Sequence, residues 1–139
     1  MKIIRAIILA SALLCLAASC SAPAHYDSEE CERLAVKIER RDSLSQKDYS
    51  AMIKQNEAIL VYLIDQSKKI AEEPADDRSG SWRTLLADPD YLERFSYMFT
   101  IGSALYQADA DGRLDNDNKK RYDDLDRYNR QLADYSDCN

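Results

Sequence analysis

The sequence predicts an all-α protein, and three observations carry that reading. Apolar residues recur at three- and four-residue steps over long segments, and no strand-length alternation persists. Glycine and proline are scarce, at three each, so breaks between segments are few. A helix-start signal precedes each of four periodic segments. The expected architecture is an antiparallel four-helix bundle, with helices over about residues 28–40, 46–73, 89–107 and 116–136.

The first segment starts at Asp27, which with Glu30 fits a capping box for the otherwise unpaired first amides. Cys31, Leu34, Ala35 and Ile38 then share one face. Ser45 and Asp48 make a second box, and Leu44 and Tyr49 stand where a hydrophobic staple closes over it. Tyr49, Ile53, Leu60, Leu63 and Ile70 hold a helical face, which Met52, Ile59 and Ile64 widen. Residues 58–64 are apolar nearly all round, so this helix must be covered on more than one side. Residues 74–81, PADDRSGS, read as a loop, and residues 82–86 as a short helical turn.

Asp88-Pro89-Asp90 marks the third start, because proline is tolerated at the first helical position and aspartate favours the positive helix end. Tyr91, Leu92, Phe95, Met98, Phe99, Leu105 and Tyr106 follow as its apolar residues. In the last helix Tyr122, Leu125, Tyr128, Leu132 and Tyr135 recur at helical steps. Its other face carries Asp123–Arg127 and Asp126–Arg130 at a spacing that adds roughly 0.3 kcal/mol per pair.

The chain opens with Lys2 and Arg5, an apolar run from Ala6 to Leu16, and the small residues Ala17, Ala18 and Ser19 before Cys20. A positive start, a short apolar core and small residues at its end make a secretory signal, too short for a permanent span. Leu16-Ala17-Ala18-Ser19-Cys20 resembles the lipobox of bacterial lipoproteins. The resemblance implies cleavage before Cys20, diacylglycerol on its thiol and acylation of the new amino terminus. Ser21 after the cysteine implies, by the enteric sorting pattern, an outer-membrane address. Several acyl chains anchor stably where one alone is marginal. Residues 40–60, RRDSLSQKDYSAMIKQNEAIL, also resemble small helical lipoproteins of the Bacteroidota, a likeness that brings no functional residues with it. The expected division is a signal peptide over 1–19, a lipidated tether over 20–26 and a helical domain over 27–139.

This address sorts the four cysteines. Cys15 leaves with the signal and Cys20 carries lipid. Cys31 and Cys138 remain, in a compartment where disulfides persist, and are expected to form a terminal bridge. An up-down-up-down bundle places the start of its first helix and the end of its fourth together, which suits that pair.

Removing residues 1–19 leaves 120 residues, and losing Lys2 and Arg5 takes the formal charge from −6 to −8. Such acidity disfavours nucleic acid, which rewards clustered Lys and Arg, and suits a basic protein partner. The only histidine, His25, lies in the expected tether, so nucleophile–histidine catalysis and His/Cys zinc sites find no support. In residues 107–118, QADADGRLDNDN, the aspartates Asp109, Asp111, Asp115 and Asp117 surround Gly112 in the manner of a weak Ca²⁺ loop. Gln107 and Asn118 occupy the two most informative ligand positions, so a helix-capping connector is the reading preferred over a metal site. Gly102-Ser103-Ala104 interrupts the aromatic third helix, through close helix approach or a ligand space.

The expectation for function is a lipid-anchored interaction domain of the cell envelope without catalytic activity or cofactor, an inhibitor or immunity-type protein being one form. A periplasmic module for a small ligand or ion is the alternative. Cys20→Ser is expected to abolish fatty-acid labelling and release the protein from membranes. Detergent partitioning with the lipid mass intact in that variant would overturn the lipobox assignment.

Overall fold

The computed structural model describes residues 24–136. These are all-helical, with no strand among them: α1 (Ser28–Glu39), α2 (Gln46–Ala71), α3 (Ala75–Leu85), α4 (Pro89–Ala110), α5 (Asn116–Asp124) and α6 (Asp126–Ser136). None of these helices is long and apolar enough to cross a membrane. Residues 1–23, with the lipobox and Cys20, lie outside the described residues, as does Cys138.

The capping residues sit where the sequence places them. Asp27 accepts from the Glu30 amide, but the expected box there is half formed, since the Asp27 amide donates to Gln55 and Glu30 pairs with Arg33, whereas Ser45 and Asp48 complete a reciprocal box. Asp88 accepts from the Tyr91 amide with Pro89 at the first helical position, and Asp115 accepts from the Asn118 amide. Two helix ends share a left-handed closing residue, Arg41 (φ 56°) after α1 and Gly112 (φ 66°) after α4. In each, amides beyond the end return to carbonyls of the last turn: Asp42 to Lys37, and Arg113 to Ala108. Arginine in that conformation costs about 1 kcal/mol that glycine avoids.

The long helix α2 is the centre of the fold. Met52, Ile53, Ile59, Leu60 and Leu63 on it are essentially inaccessible, and Leu34, Ile101, Leu105 and Leu125 meet that core from α1, α4 and the α5–α6 junction. Close backbone approaches join α1 to α2 and α4, and α2 to α4, α5 and α6. Side-chain bonds give the directions. Asp27 meets Gln55 while Lys37 meets Asp48, so α1 runs opposite to α2. Asn118 meets Gln46, Arg121 meets Ser50 and Tyr128 meets Glu57, so α5 and α6 run along it.

Two expectations are corrected. Residues 75–81 are helical, part of α3, rather than a loop. Asp76 and Asp77 lie in its positive first turn, while Arg78 and Ser81 bond back to the Glu73 carbonyl and carboxylate. No residue of α3 is buried, so Ser79 and Gly80 meet solvent on a surface helix. The expected last helix over 116–136 is broken at Leu125, where the Leu125 and Tyr128 amides bond three residues back, to Tyr122 and Leu125. That break turns Leu125 into the core at 2 % exposure.

The expected terminal disulfide involves Cys138, outside the described residues, and none forms within them. Cys31 is a free, buried thiol donating to Gln55 Oε1 at 3.6 Å. Because α1 begins opposite the middle of α2, Cys31 is level with Gln55. The last helix passes that level near Tyr128, which bonds Glu57, ten positions before Cys138.

Asp48 joins α1 to the start of α2. Its buried carboxylate accepts from Arg33 at 3.1 Å, Lys37 at 3.0 Å, the Ser45 amide at 3.0 Å and the Ser45 hydroxyl at 2.9 Å. Burial alone would raise its pKa, but the Ser45 amide, Lys37, the Ser45 hydroxyl and Arg33 together hold it well below the ordinary aspartate value. Stability from this carboxylate is therefore complete above about pH 5 and lost as the pH falls through 4 and below. Asp48→Asn is expected to cost about 2–3 kcal/mol at neutral pH and to flatten the acid side of the profile. Urea midpoints from pH 3 to 7 check this, and parallel profiles for the two proteins would refute it.

Candidate functional site

The packing around α2 leaves α4 and α5–α6 separated, and a groove of about 480 Å³ lies between them. Asn56 of α2 reaches it from below. Met98, Phe99, Gly102, Ser103, Tyr106 and Gln107 line it from α4, with Tyr122 and Asn129 opposite. It carries aromatic rings on both walls and no charged side chain, the lining of a small-molecule site rather than an ion site.

Asn56 is 5 % exposed, and its Oδ1 is the one buried side-chain oxygen or nitrogen among the described residues with no hydrogen-bond partner. An unmet buried acceptor costs about 1–3 kcal/mol. Gly102 stands over this amide. A Cβ there would lie 3.9 Å from Asn56 Nδ2 and 4.0 Å from Oδ1, ordinary contact distances. Alanine would therefore fit, and would gain roughly 1 kcal/mol of helix propensity. Helix approach does not require the glycine. At the rim, Gln107 Nε2 is committed to Asp111 Oδ1. Burial, with Asp109 nearby, keeps the Tyr122 phenol raised and neutral.

A second feature is the outer face of α4. Leu92, Phe95, Phe99 and Tyr106 follow one another at helical steps and are all exposed, Phe99 and Tyr106 at 69 % each. The opposite side of the same helix supplies Tyr91, Ile101, Leu105 and Ala108 to the core. Sequence pattern shows an apolar helix but not which apolar residues face a neighbour. Asn56 was likewise missed, though a signal existed: it lies three residues from both Ile53 and Ile59, inside an apolar stripe.

The other sequence candidates have structural work. Asp109 pairs with Lys119, Asp111 with Arg113, and Asp115 caps α5. Asp117 lies in the first turn of α5. Among the described residues no group of three or more His, Cys, Asp or Glu stands close enough to hold a metal. His25 is exposed, with its carbonyl accepting from Gln55. The end of the expected tether is thus docked: Tyr26 donates to Glu93 at 2.6 Å beneath the Arg94 guanidinium. No family model, curated protein or solved structure matches the chain.

Burial, then Asp27, Glu30 and Glu93, push the Cys31 thiol up to about 12, so it is protonated and unreactive at neutral pH. Iodoacetamide is expected to leave Cys31 unmodified in the folded protein and to label it after unfolding in urea without reductant. Rapid labelling before unfolding would overturn the buried-thiol assignment, and no labelling afterwards would reinstate the bridge.

Proposed function

We propose that this chain is a lipid-anchored, non-catalytic interaction domain of the cell envelope, held by acyl groups on Cys20 at the outer membrane. Its helices form an antiparallel bundle left open on one side, and the outer face of α4 meets a protein partner. An inhibitor or immunity-type role is one form of this activity. The supporting observation is the exposed strip of Leu92, Phe95, Phe99 and Tyr106 on a helix whose other face is in the core. An apolar strip of this kind is the mark of an interaction face, and the acidic chain favours a basic partner.

The groups best suited to chemistry support the same reading by being occupied. The Asp48 carboxylate is enclosed by Arg33, Lys37 and Ser45, and the Cys31 thiol is buried and protonated. Neither is presented to a substrate.

A photo-crosslinking side chain at Phe99 is expected to give one discrete protein adduct in intact cells, and the same group at Arg83 on α3 none. Phe95→Asp should remove the Phe99 adduct while shifting the melting temperature little, since Phe95 is already exposed. Absence of any adduct from Leu92, Phe95 and Phe99 would refute the proposal.

A further inference from the structure

We infer that the docked entry of the chain sets the posture of the domain on its membrane, with the flank at the start of α1 next to the bilayer and the α5–α6 flank turned away. The inference rests on the acylation of Cys20 proposed above. Four residues, Ser21 to Ala24, separate that cysteine from His25. From His25 onward the chain is held by the domain. Gln55 donates to the His25 carbonyl at 3.3 Å and accepts from the Asp27 amide at 2.8 Å. Between them, the Tyr26 hydroxyl donates to Glu93 at 2.6 Å. The Arg94 guanidinium lies between the rings of Tyr26 and Tyr62, 4.0 and 4.3 Å from their centres. Its side chain is only 19 % exposed, so this sandwich is largely shielded from water. The entering residues are thus tied to both α2 and α4.

Reach against thickness gives the posture. The five residue steps from Cys20 to His25 span at most about 18 Å, fully extended. On α2, Asp48 and Gln55 meet α1 and the entering chain, whereas Ser50 and Glu57 meet α5 and α6. Each pair is two residues apart, a turn of roughly 200°, so the two flanks lie on opposite sides of α2. With helix axes about 8–10 Å apart and a helix radius of about 5 Å, the outer surface of α6 stands roughly 20–25 Å from His25. The chain must also pass round the bundle rather than through it. Cys20 therefore cannot lie in a bilayer beneath α5–α6 while the tie is made, and the α1 flank is the one within its reach. Exposed Glu29, Glu32 and Glu93 surround the entry, so the tether and not attraction to anionic headgroups brings this flank to the lipid. The apolar strip of α4 stays uncovered. From Glu93, its side chains lie about 100–160° round the helix, open to a partner from the side.

The test places the mature chain, purified from membranes, in phosphatidylcholine nanodiscs that carry a gadolinium-chelating lipid, and reads the relaxation of its backbone amides by NMR. The Glu29 and Glu32 amides are expected to relax at least threefold faster than those of Asn129 and Arg130. Tyr26→Ala combined with Gln55→Ala should bring that ratio close to one while the far-UV helical signal persists. Twenty Gly/Ser residues inserted between Ser21 and Ala22 should do the same with the tie intact, and this variant decides the matter if the double substitution fails to fold. Equal relaxation on the two flanks, faster relaxation at α5–α6 or at Phe95 and Phe99, or a ratio unmoved by the insertion would each overturn the inference. A chain that enters the discs with its lipid mass but shows no contrast refutes this posture alone. A chain without lipid mass that stays out of the discs refutes the acylation of Cys20, and the posture with it.

Discussion

Polar side chains buried on the central helix α2, Asp48 and Gln55 above all, must find partners away from water, and this constraint organises the protein. Several polar side chains of α2 are met by different segments, which fixes each segment's height along it. Gln46 accepts from the Asp115 amide and donates to the Arg113 carbonyl, setting the turn between α4 and α5. Asp48 takes two cations from α1, and Gln55 holds the chain as it enters α1. Apolar burial drives the collapse but is indifferent to sliding. The charged and amide bonds remove that freedom, since a slip of one turn would strand Asp48 and Gln55 unpaired in the interior.

Local signals in the sequence were legible because they act over three or four residues. The caps at Asp27, Ser45, Asp88 and Asp115 lie where their side chains must, and Tyr49 and Tyr91 are buried on the stripes that contain them. What was not legible depends on distant partners. Composition marks Pro74 to Ser81 as a break, yet bonds back to Glu73 complete a surface helix there. Periodicity runs unbroken through residues 116–136, yet Leu125 enters the core at a local tightening of the backbone.

The same division applies to the candidate site. Gly102 was visible as an oddity in a helix, but its meaning depends on Asn56, forty-six positions earlier on another helix. Asn56 itself becomes informative only when the donors around it are counted. The acidic connector was legible for a simpler reason: Asp115 caps its own helix three residues away. Cys31 shows a further case, where the sequence pattern places it on the core face of α1 but not its contact with Gln55 of α2.

The entry point of the chain has a mechanical consequence. His25, Tyr26 and Asp27 reach the domain beside Gln55 and Glu93, near the waist of α2 rather than at an end. A pull on the N-terminal side would load the Tyr26–Glu93 and Asp27–Gln55 bonds first, then peel α1 away one turn at a time toward its far end. Peeling breaks contacts in succession, first drawing Cys31 and Leu34 out of the core and then reaching the Asp48 cluster. There two cations and a serine hold one carboxylate together, and the load meets them almost at once. The domain is thus held at its leading edge by core packing and, behind it, by the Asp48 latch.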